Sequence, residues 1–498
     1  MSPSEFGNPD VIVVGAGNAA SCAALALREK GASVIMLEAA PVEDSGGNSR
    51  YTAGLMRHVF HGVDDLVDII PELTEHERRE VDFGTYPEER FFDDMGHITN
   101  YRTDPDLCEL LVTKSFETLV WMRKNGIRFQ PSFGRQAYKV DGKFKFWGVP
   151  SETWGGGQGL VDSEHKACTA RGVRIFYETP AVGLITDGDD AVRGVEVKYK
   201  GARMAIRSKA VVLACGGFES NAEMRARYLG PNWDLAKVRG TRYNTGLGIK
   251  MALEAGAVPY GHWSGAHACE WDLNAPPYGD VTVGDNFQKH CYPLGIVVNA
   301  RGERFIDEGA DFRGFTYAKY GAVILAQPNM FAWQIFDSKF LHLLRDEYRI
   351  KRVTKVTANT LEELVKKLDG VDADACLREI LAFNKAVRTD VAFNPAIKDG
   401  RSAPGLRVPR NNWANAIDIP PFEAYAVTCG VTFTFGGVKI SVNGEVEDTA
   451  GRPIPGLYAA GELVGGLFYH NYPAGTGLTS GAVFGRIAGS SAARFAGK

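Results

Sequence analysis

The sequence predicts an α/β protein: a Rossmann-like parallel sheet with helices and a small antiparallel meander, with a separate α+β lobe in the middle of the chain. Three observations predict it. A glycine-rich turn joins a buried strand to an Ala/Leu-rich helix near residue 15. Further glycine-rich segments recur at strand ends as far as residue 462. Between them, residues 262–430 are richer in Trp, Tyr, Phe and Pro and carry no second nucleotide fingerprint.

The elements follow in order. Asp10–Val14 reads as a fully buried strand, Asn18–Lys30 as a helix and Ser33–Leu37 as a second buried strand. Such a compact βαβ unit implies a parallel sheet with helices on its faces. Residues 64–130 are mainly helical in pattern, with Asp104 placed to cap a helix beginning at Pro105. From Val173 to Val212 the period becomes strand-like, and "DGDD" and "YKGA" supply the turns of a meander. The apolar run Ala210–Cys215 returns to the main sheet. In the middle lobe "YPLGIVVN" and "GERFIDE" predict strands, and Leu361–Leu368 and Ala375–Ala386 predict helices. The closing "SGAVFGRIAGSSAARFAG" predicts a helix whose small residues suit close packing against a sheet.

Composition bounds the function. At 498 residues the chain exceeds a single ordinary core, since domains average roughly 150 residues. A net charge of -4 argues against a nucleic-acid partner, which normally needs a basic face. Residues 1–9 show no charged-then-apolar leader, and no window holds the ~18 apolar residues of a membrane span, so a cytoplasmic location without a membrane span is expected. The eight cysteines are scattered without a CxxC pair, the usage of buried thiols; no disulfide framework and no metal site is expected.

"VIVVGAGNAA" places Gly15, Gly17 and Ala20 at the strand-to-helix turn. Gly15 permits the tight turn, Gly17 lets backbone approach a pyrophosphate, and Ala20 lets helix and strand pack closely. Phosphates would meet the free N–H groups at the positive end of the helix. Glu38, ending the second strand, suits both ribose hydroxyls and repels a 2′-phosphate. "GGNS" (46–49), "ACGGF" (214–218) and "GLYAAGE" (456–462) favour FAD over NAD, because FAD lies extended over several elements.

These motifs, with "GGNSRYTAG", "NTGLGIKMALEAGA", "GIVVNARGERFIDE", "FTFGGVKI" and "GLYAAGELVGG…SGAVFGRIAG", resemble the flavoprotein superfamily of soluble fumarate reductases and succinate dehydrogenase flavoprotein subunits over nearly the whole chain. "WSGAHA", "NNWANAIDIPPFEAY", "GVTFTFGG" and "FYHNYPAGTGLTSGAVFGR" resemble most the tricarballylate dehydrogenase branch. The resemblance implies a discontinuous FAD domain, 1–261 plus 431–498, a capping domain over 262–430, and substrate bound between them. Motif and resemblance together give the cofactor-lining positions as Gly15, Gly17, Asn18, Ala19, Ala20, Glu38, Ser45, Gly46, Gly47, Asn48, Ser49, Gly54, Ala181, Ala214, Gly216, Gly217, Gly461, Glu462, Gly477 and Leu478.

By the same resemblance His267 binds a substrate carboxylate and Arg313 transfers a proton to or from the substrate carbon. Arg313 reads equally as an electrostatic clamp, since its guanidinium stays charged. Tyr472 is the next base to consider. The chain departs from fumarate reductases where their relay glutamate and arginine fall near Gln288 and Cys291, and where a substrate histidine and arginine fall at Phe433 and Tyr472. "NSRYTAG" stands where respiratory enzymes attach flavin through histidine, so non-covalent FAD is expected. Arg57, Arg239 and Arg242 stand beside these motifs as further carboxylate ligands or surface residues. "WGGG" (154–157) reads as a close-approach loop, and His262 and His470 as packing or site histidines.

The expected function is FAD-dependent dehydrogenation of a CH–CH bond in a small polycarboxylate, with tricarballylate to cis-aconitate as the lead case. A ketosteroid Δ1-dehydrogenase-like or enoate/fumarate reductase-like enzyme and a non-catalytic flavin-binding protein stand as alternatives. Electrons would leave to an external acceptor, by resemblance a membrane-associated iron–sulfur protein.

Overall fold

The computed structural model describes residues 5–146 and 149–498, so the first four residues of the expected leader-lacking stretch 1–9 lie outside the described residues. Strand β1 (Val11–Val14) and β2 (Val34–Leu37) flank helix α1 (Asn18–Glu29), and all eight strand residues are buried. Helix α2 (Gly156–Ala170) and strand β3 (Arg174–Phe176) follow, and β4 (Ala210–Leu213) pairs with β1 in parallel. Residues 181–207 form the expected three-stranded antiparallel meander. Asp104 caps its helix as expected, accepting from the Asp106 and Leu107 N–H groups at 3.1 Å.

Strand β5 (Pro259–Asp272) opens a second sheet with β6 (Ile296–Asn299), β7 (Ala332–Phe336), β8 (Lys355–Ala358) and the long β9 (Phe422–Val438). Strand β9 is its spine, pairing antiparallel with β5, β7 and β8. Strands β10 (Glu445–Glu447) and β11 (Pro453–Ala459) complete the first sheet in the order β10-β11-β4-β1-β2-β3, parallel apart from β10. Helix α3 (Thr476–Phe495) closes the chain. A hydrophobic core separate from the large first one lies under the second sheet, around Trp333, Ile380, Phe383 and Ala424. Strands β5 and β9 run together from this lobe toward the first sheet.

Two expectations are corrected. "GERFIDE" is not a strand: Arg304 makes one isolated bridge to Val298, and its guanidinium turns inward to Glu308. The pair is fully buried and shares Glu308 with Arg410 at 3.1 Å, so ion pairing overrides the alternating pattern. Helix α3 packs its glycines on a helix: Cβ atoms at Gly485 and Gly489 would strike the backbone carbonyls of Ala19 and Ala23 in α1. The two helices thus approach closely enough to bring the N-terminus of α3 to the β1–α1 turn. Among the described residues no helix is long and apolar enough to cross a membrane.

Candidate functional site

One cavity of about 400 Å³ runs from the β1–α1 turn to the β5–β9 ladder. At its first end Gly15 (φ 111°) makes the turn, where a Cβ would collide with the Ala214 carbonyl. The first N–H groups of α1 have no acceptor one turn earlier and face this end of the cavity, as an anion site requires. Asn18 is occupied otherwise: its amide donates to the Leu478 carbonyl at 2.7 Å and its N–H to Ser49 Oγ at 3.1 Å. It therefore ties α1, the 47–51 turn and α3 into one trough.

Glu38 is buried, and its Oε1 accepts from the Ala40 N–H at 2.8 Å. Burial pushes its pKa up, opposed by N–H groups of Ala40, Gly46, Ala39 and Ala16. Farther along, Glu462 Oε1 accepts from the Thr434 N–H (2.7 Å) and hydroxyl (3.1 Å). Its carboxyl meets that of Glu219, whose Oε1 accepts from the Asn48 and Asn244 amides, each at 2.6 Å. Burial raises both carboxyls, and for Glu219 the Glu462 charge adds to it, so the pair holds a proton.

Gly15, Gly17, Asn18, Ala19, Glu38, Gly47, Asn48, Ser49, Ala181, Ala214, Gly216, Gly461, Glu462, Gly477 and Leu478 all line this cavity, as do His267 and Tyr472. Ala20, Ser45, Gly46, Gly54, Gly217 and Arg313 are not among its lining residues. Gly46 and Gly54 allow close packing there: a Cβ would meet Val161 at 2.5 Å in the first case and Thr153 in the second. Gly217 does the same against Thr434 and Glu462, and Ser45 Oγ turns to the Val42 carbonyl at 2.8 Å.

The far end is aromatic and cationic. The β5–β9 register sets His267 opposite Phe433. The His267 ring stacks on Tyr472 at 4.8 Å and meets Tyr317 edge-on at 4.8 Å. Burial and the Arg239 charge hold its pKa well below the usual value, so the imidazole is neutral. Its Nε2 has no hydrogen-bond partner among the described residues. Arg239 lines the same end, 6% exposed, with Nη1 at 3.4 Å from Thr432 Oγ1, Nη2 at 3.8 Å from Asp285 and Nε without a partner among the described residues. The Tyr472 hydroxyl accepts from the Gly477 N–H at 2.6 Å, and burial pushes its pKa up to about 12.

Arg313 is buried beside this end, and its guanidinium donates to the Arg135 carbonyl. Its neighbours Gly314 and Phe315 accept from Ala474 N–H (2.9 Å) and Asn471 Nδ2 (2.7 Å), which joins its loop to the one carrying Tyr472. Arg57 holds that same loop, with Nε to the Ala474 carbonyl at 2.9 Å and Nη1 to Tyr86 at 2.7 Å. Arg242 is exposed and lies over Tyr278. The expected 154–157 loop is only the turn at Trp154 and Gly155, since Gly156 and Gly157 already open α2; Trp154 is exposed, and His262 accepts from the His470 N–H at 3.0 Å outside the lining. Gln288 donates to Asp285 at 2.8 Å, and Cys291 is buried.

Sequence reasoning passed over Tyr317, His290, Thr432, Glu219, Arg135 and Asp285. Glu219 was adjacent to a motif, two residues after "GG", and Thr432 lay inside "GVTFTFGG"; the others are brought in by long-range pairing. Burial and the charges of Arg313, Arg239, His267 and Arg135 hold His290 well below its usual pKa; Asp285 joins Arg135 at 2.9 Å to Arg239 at 3.8 Å, and Arg313 donates to the Arg135 carbonyl.

The trough's length, helix terminus and buried ribose-level carboxylate fit FAD. Residues 10–478 match the FAD binding domain family. The chain is 29% identical to "Fumarate reductase (cytochrome)" of Shewanella frigidimarina, over 98% of this chain and 78% of that protein. A flavocytochrome c3 fumarate reductase in its open conformation superposes with a TM-score of 0.74 at 28% identity, covering 99% of this chain and 80% of that one. A 3-ketosteroid Δ1-dehydrogenase of Sterolibacterium denitrificans shares the fold, with a TM-score of 0.75 at 22% identity over 98% of this chain and 99% of that one. The trough and these likenesses agree that the chain belongs to the FAD binding domain family and is an FAD-dependent oxidoreductase of the fumarate reductase kind.

Proposed function

We propose that the protein oxidises a CH–CH bond of a small polycarboxylate to a double bond, with tricarballylate to cis-aconitate as the lead case. The observation that carries this reading is Arg239, a buried guanidinium at the cavity end whose Nε is unpartnered among the described residues. Arg135 and Arg313 stand close by, and Asp285 is the carboxylate that Arg135 and Arg239 share. A buried guanidinium with an unmet donor at the cavity end favours a ligand that brings its own carboxylate.

Bound non-covalently in the trough, FAD supplies the hydride acceptor, N5 of its ring. The chain's own residues do the rest. Arg239 and neutral His267 bind substrate carboxylates, and Arg239 stabilises charge that develops as the adjacent carbon loses its proton. Tyr472 stays a phenol at neutral pH; with its oxygen accepting from Gly477, its O–H is left to donate to substrate. That leaves Arg313 as the proton-transfer residue or electrostatic clamp, held in register by its tie to the Tyr472 loop. In this reading residues 1–261 and 431–498 carry FAD, 262–430 cap the substrate, and an external acceptor, a membrane-associated iron–sulfur protein, takes the electrons in the cytoplasm.

A second reading has its own support. Phe433, Tyr472, Tyr317 and Phe468 form an apolar wall, with Phe433–Tyr472 at 5.9 Å and Phe468–Tyr472 at 4.9 Å, which suits a flat apolar ketone such as a 3-ketosteroid. Anaerobic titration with tricarballylate, succinate and a 3-ketosteroid separates the two. Bleaching of flavin absorbance by tricarballylate is expected; bleaching by the steroid alone would transfer the protein to the second reading.

A further inference from the structure

A second cavity, of about 430 Å³, lies between the 50–53 turn, Gln130, Arg135, Glu152, residues 155–158 and the loop 282–286. Thr52 and Ala53 line both cavities. Gly155 and Thr282 on its rim are exposed, so it reaches the surface, while Arg135 and Asp285 form its inner end. Arg135 grips Asp285 through two bonds of 3.0 and 2.9 Å, and Asp285 in turn faces Arg239 of the first cavity. This polar second cavity therefore backs directly onto the cationic end of the first.

One carboxylate in it is only half engaged. Glu152 Oε1 accepts from Gln130 Nε2 at 2.8 Å, but its buried Oε2 has no hydrogen-bond partner among the described residues. Burial pushes its pKa up to about 7, with Gln130 and Arg135 opposing and Asp285 reinforcing. Arg50, across the cavity, is engaged by Asp162 at 3.0 Å. An orphaned carboxylate oxygen facing a polar cavity of this volume is costly unless water that enters the cavity hydrates it.

We propose that Glu152 is the proton outlet of the reaction, linking the cationic end of the substrate cavity to solvent through the second cavity. This rests on the dehydrogenation proposed above. That reaction removes a hydride and a proton from substrate; the hydride leaves to the flavin, and the proton must reach water for the base to act again. The proton passes from the base to water in the second cavity, then to the Glu152 carboxylate, and is released at the rim. One proton enters and one leaves, and nothing else changes oxidation state.

The test compares Glu152→Gln, which keeps shape and removes the titrating group, with Glu152→Asp, which keeps the group. Flavin bleaching by tricarballylate is followed beside release of the proton to an indicator dye. In the unaltered protein the rate rises with pH through about 7, and dye and flavin signals move together. In E152Q the rise near that pH disappears and proton release lags bleaching, with a slowing on the order of 10²-fold, the lower range for a positioned proton-transfer group. E152D restores both. Independently of turnover, infrared difference spectra show a carboxyl group titrating near that pH in the unaltered protein and missing in E152Q. An E152Q protein that keeps the pH dependence and releases its proton in step with bleaching overturns the proposal, as does E152D behaving like E152Q. Failure of every substrate to bleach the unaltered flavin refutes the proposed reaction itself, a different readout.

Discussion

Replacing Arg239 by lysine isolates what its guanidinium does. The ammonium keeps one positive charge near Asp285, 3.8 Å away in the native pair, so the buried ion pair is not simply broken. What is lost is the planar fork whose Nε, unpartnered among the described residues, stands ready for a carboxylate. A hydrogen bond to a charged group is worth roughly 1.5–3 kcal/mol, which at about 1.4 kcal/mol per decade predicts a ~10- to ~100-fold weaker carboxylate substrate. The assay is anaerobic substrate binding, read from perturbation and bleaching of the flavin spectrum, with FAD content and melting temperature as controls. Affinity for a neutral 3-ketosteroid, if any, should move little. Equal affinity of R239K and the native protein for tricarballylate, with FAD retained, would refute the assignment of Arg239 to substrate.

Other consequences follow from the same geometry. Gly485→Ala puts a methyl group into the Ala19 carbonyl across the α1–α3 contact; overpacking of about 1–3 kcal/mol is expected, seen as a lower melting temperature together with weaker FAD retention. Glu38→Ala removes the acceptor of the Ala40 N–H and the group facing the ribose, so FAD occupancy, read from the ratio of flavin to protein absorbance, should fall while the secondary structure persists. Tyr472→Phe should lower the rate without removing any pH limb below about pH 10, because the native phenol, with its pKa up at about 12, does not ionise there. His58 is buried between the Val59 carbonyl and Ser151 Oγ, each at 3.0 Å, and burial lowers its pKa to about 4. Its folded value lies below its unfolded value of 6.5, so its contribution is present above that pH and is lost as pH falls toward 4. The loss is roughly 3 kcal/mol. His58→Asn should flatten that part of the acid denaturation curve.

The nucleotide end of this protein is legible along the chain. Strand, glycine turn, helix, second strand and Glu38 are neighbours along the chain, and each is specified by local periodicity and by the backbone freedom of Gly15. The Asp104 cap and the 181–207 meander were legible for the same reason, since turn and cap chemistry acts over a few residues. The tertiary structure alone decided the rest. The alternation in "GERFIDE" could not reveal that Arg304 would meet Arg410 across Glu308, a pairing of residues about a hundred positions apart. Small residues in the last helix foretold a close contact but not its partner, because any flat surface suits a glycine face; α1 supplies it. His267 was named from its motif, but its neutral ring, its stacking on Tyr472 and its position opposite Phe433 depend on a strand register joining residues far apart. Glu152 drew no notice in sequence, since a glutamate between strand residues is ordinarily a solvated one. Its orphaned oxygen and neutral-range titration arise only when Gln130, Arg135 and the 282–286 loop are brought together around it and withdraw it from bulk water.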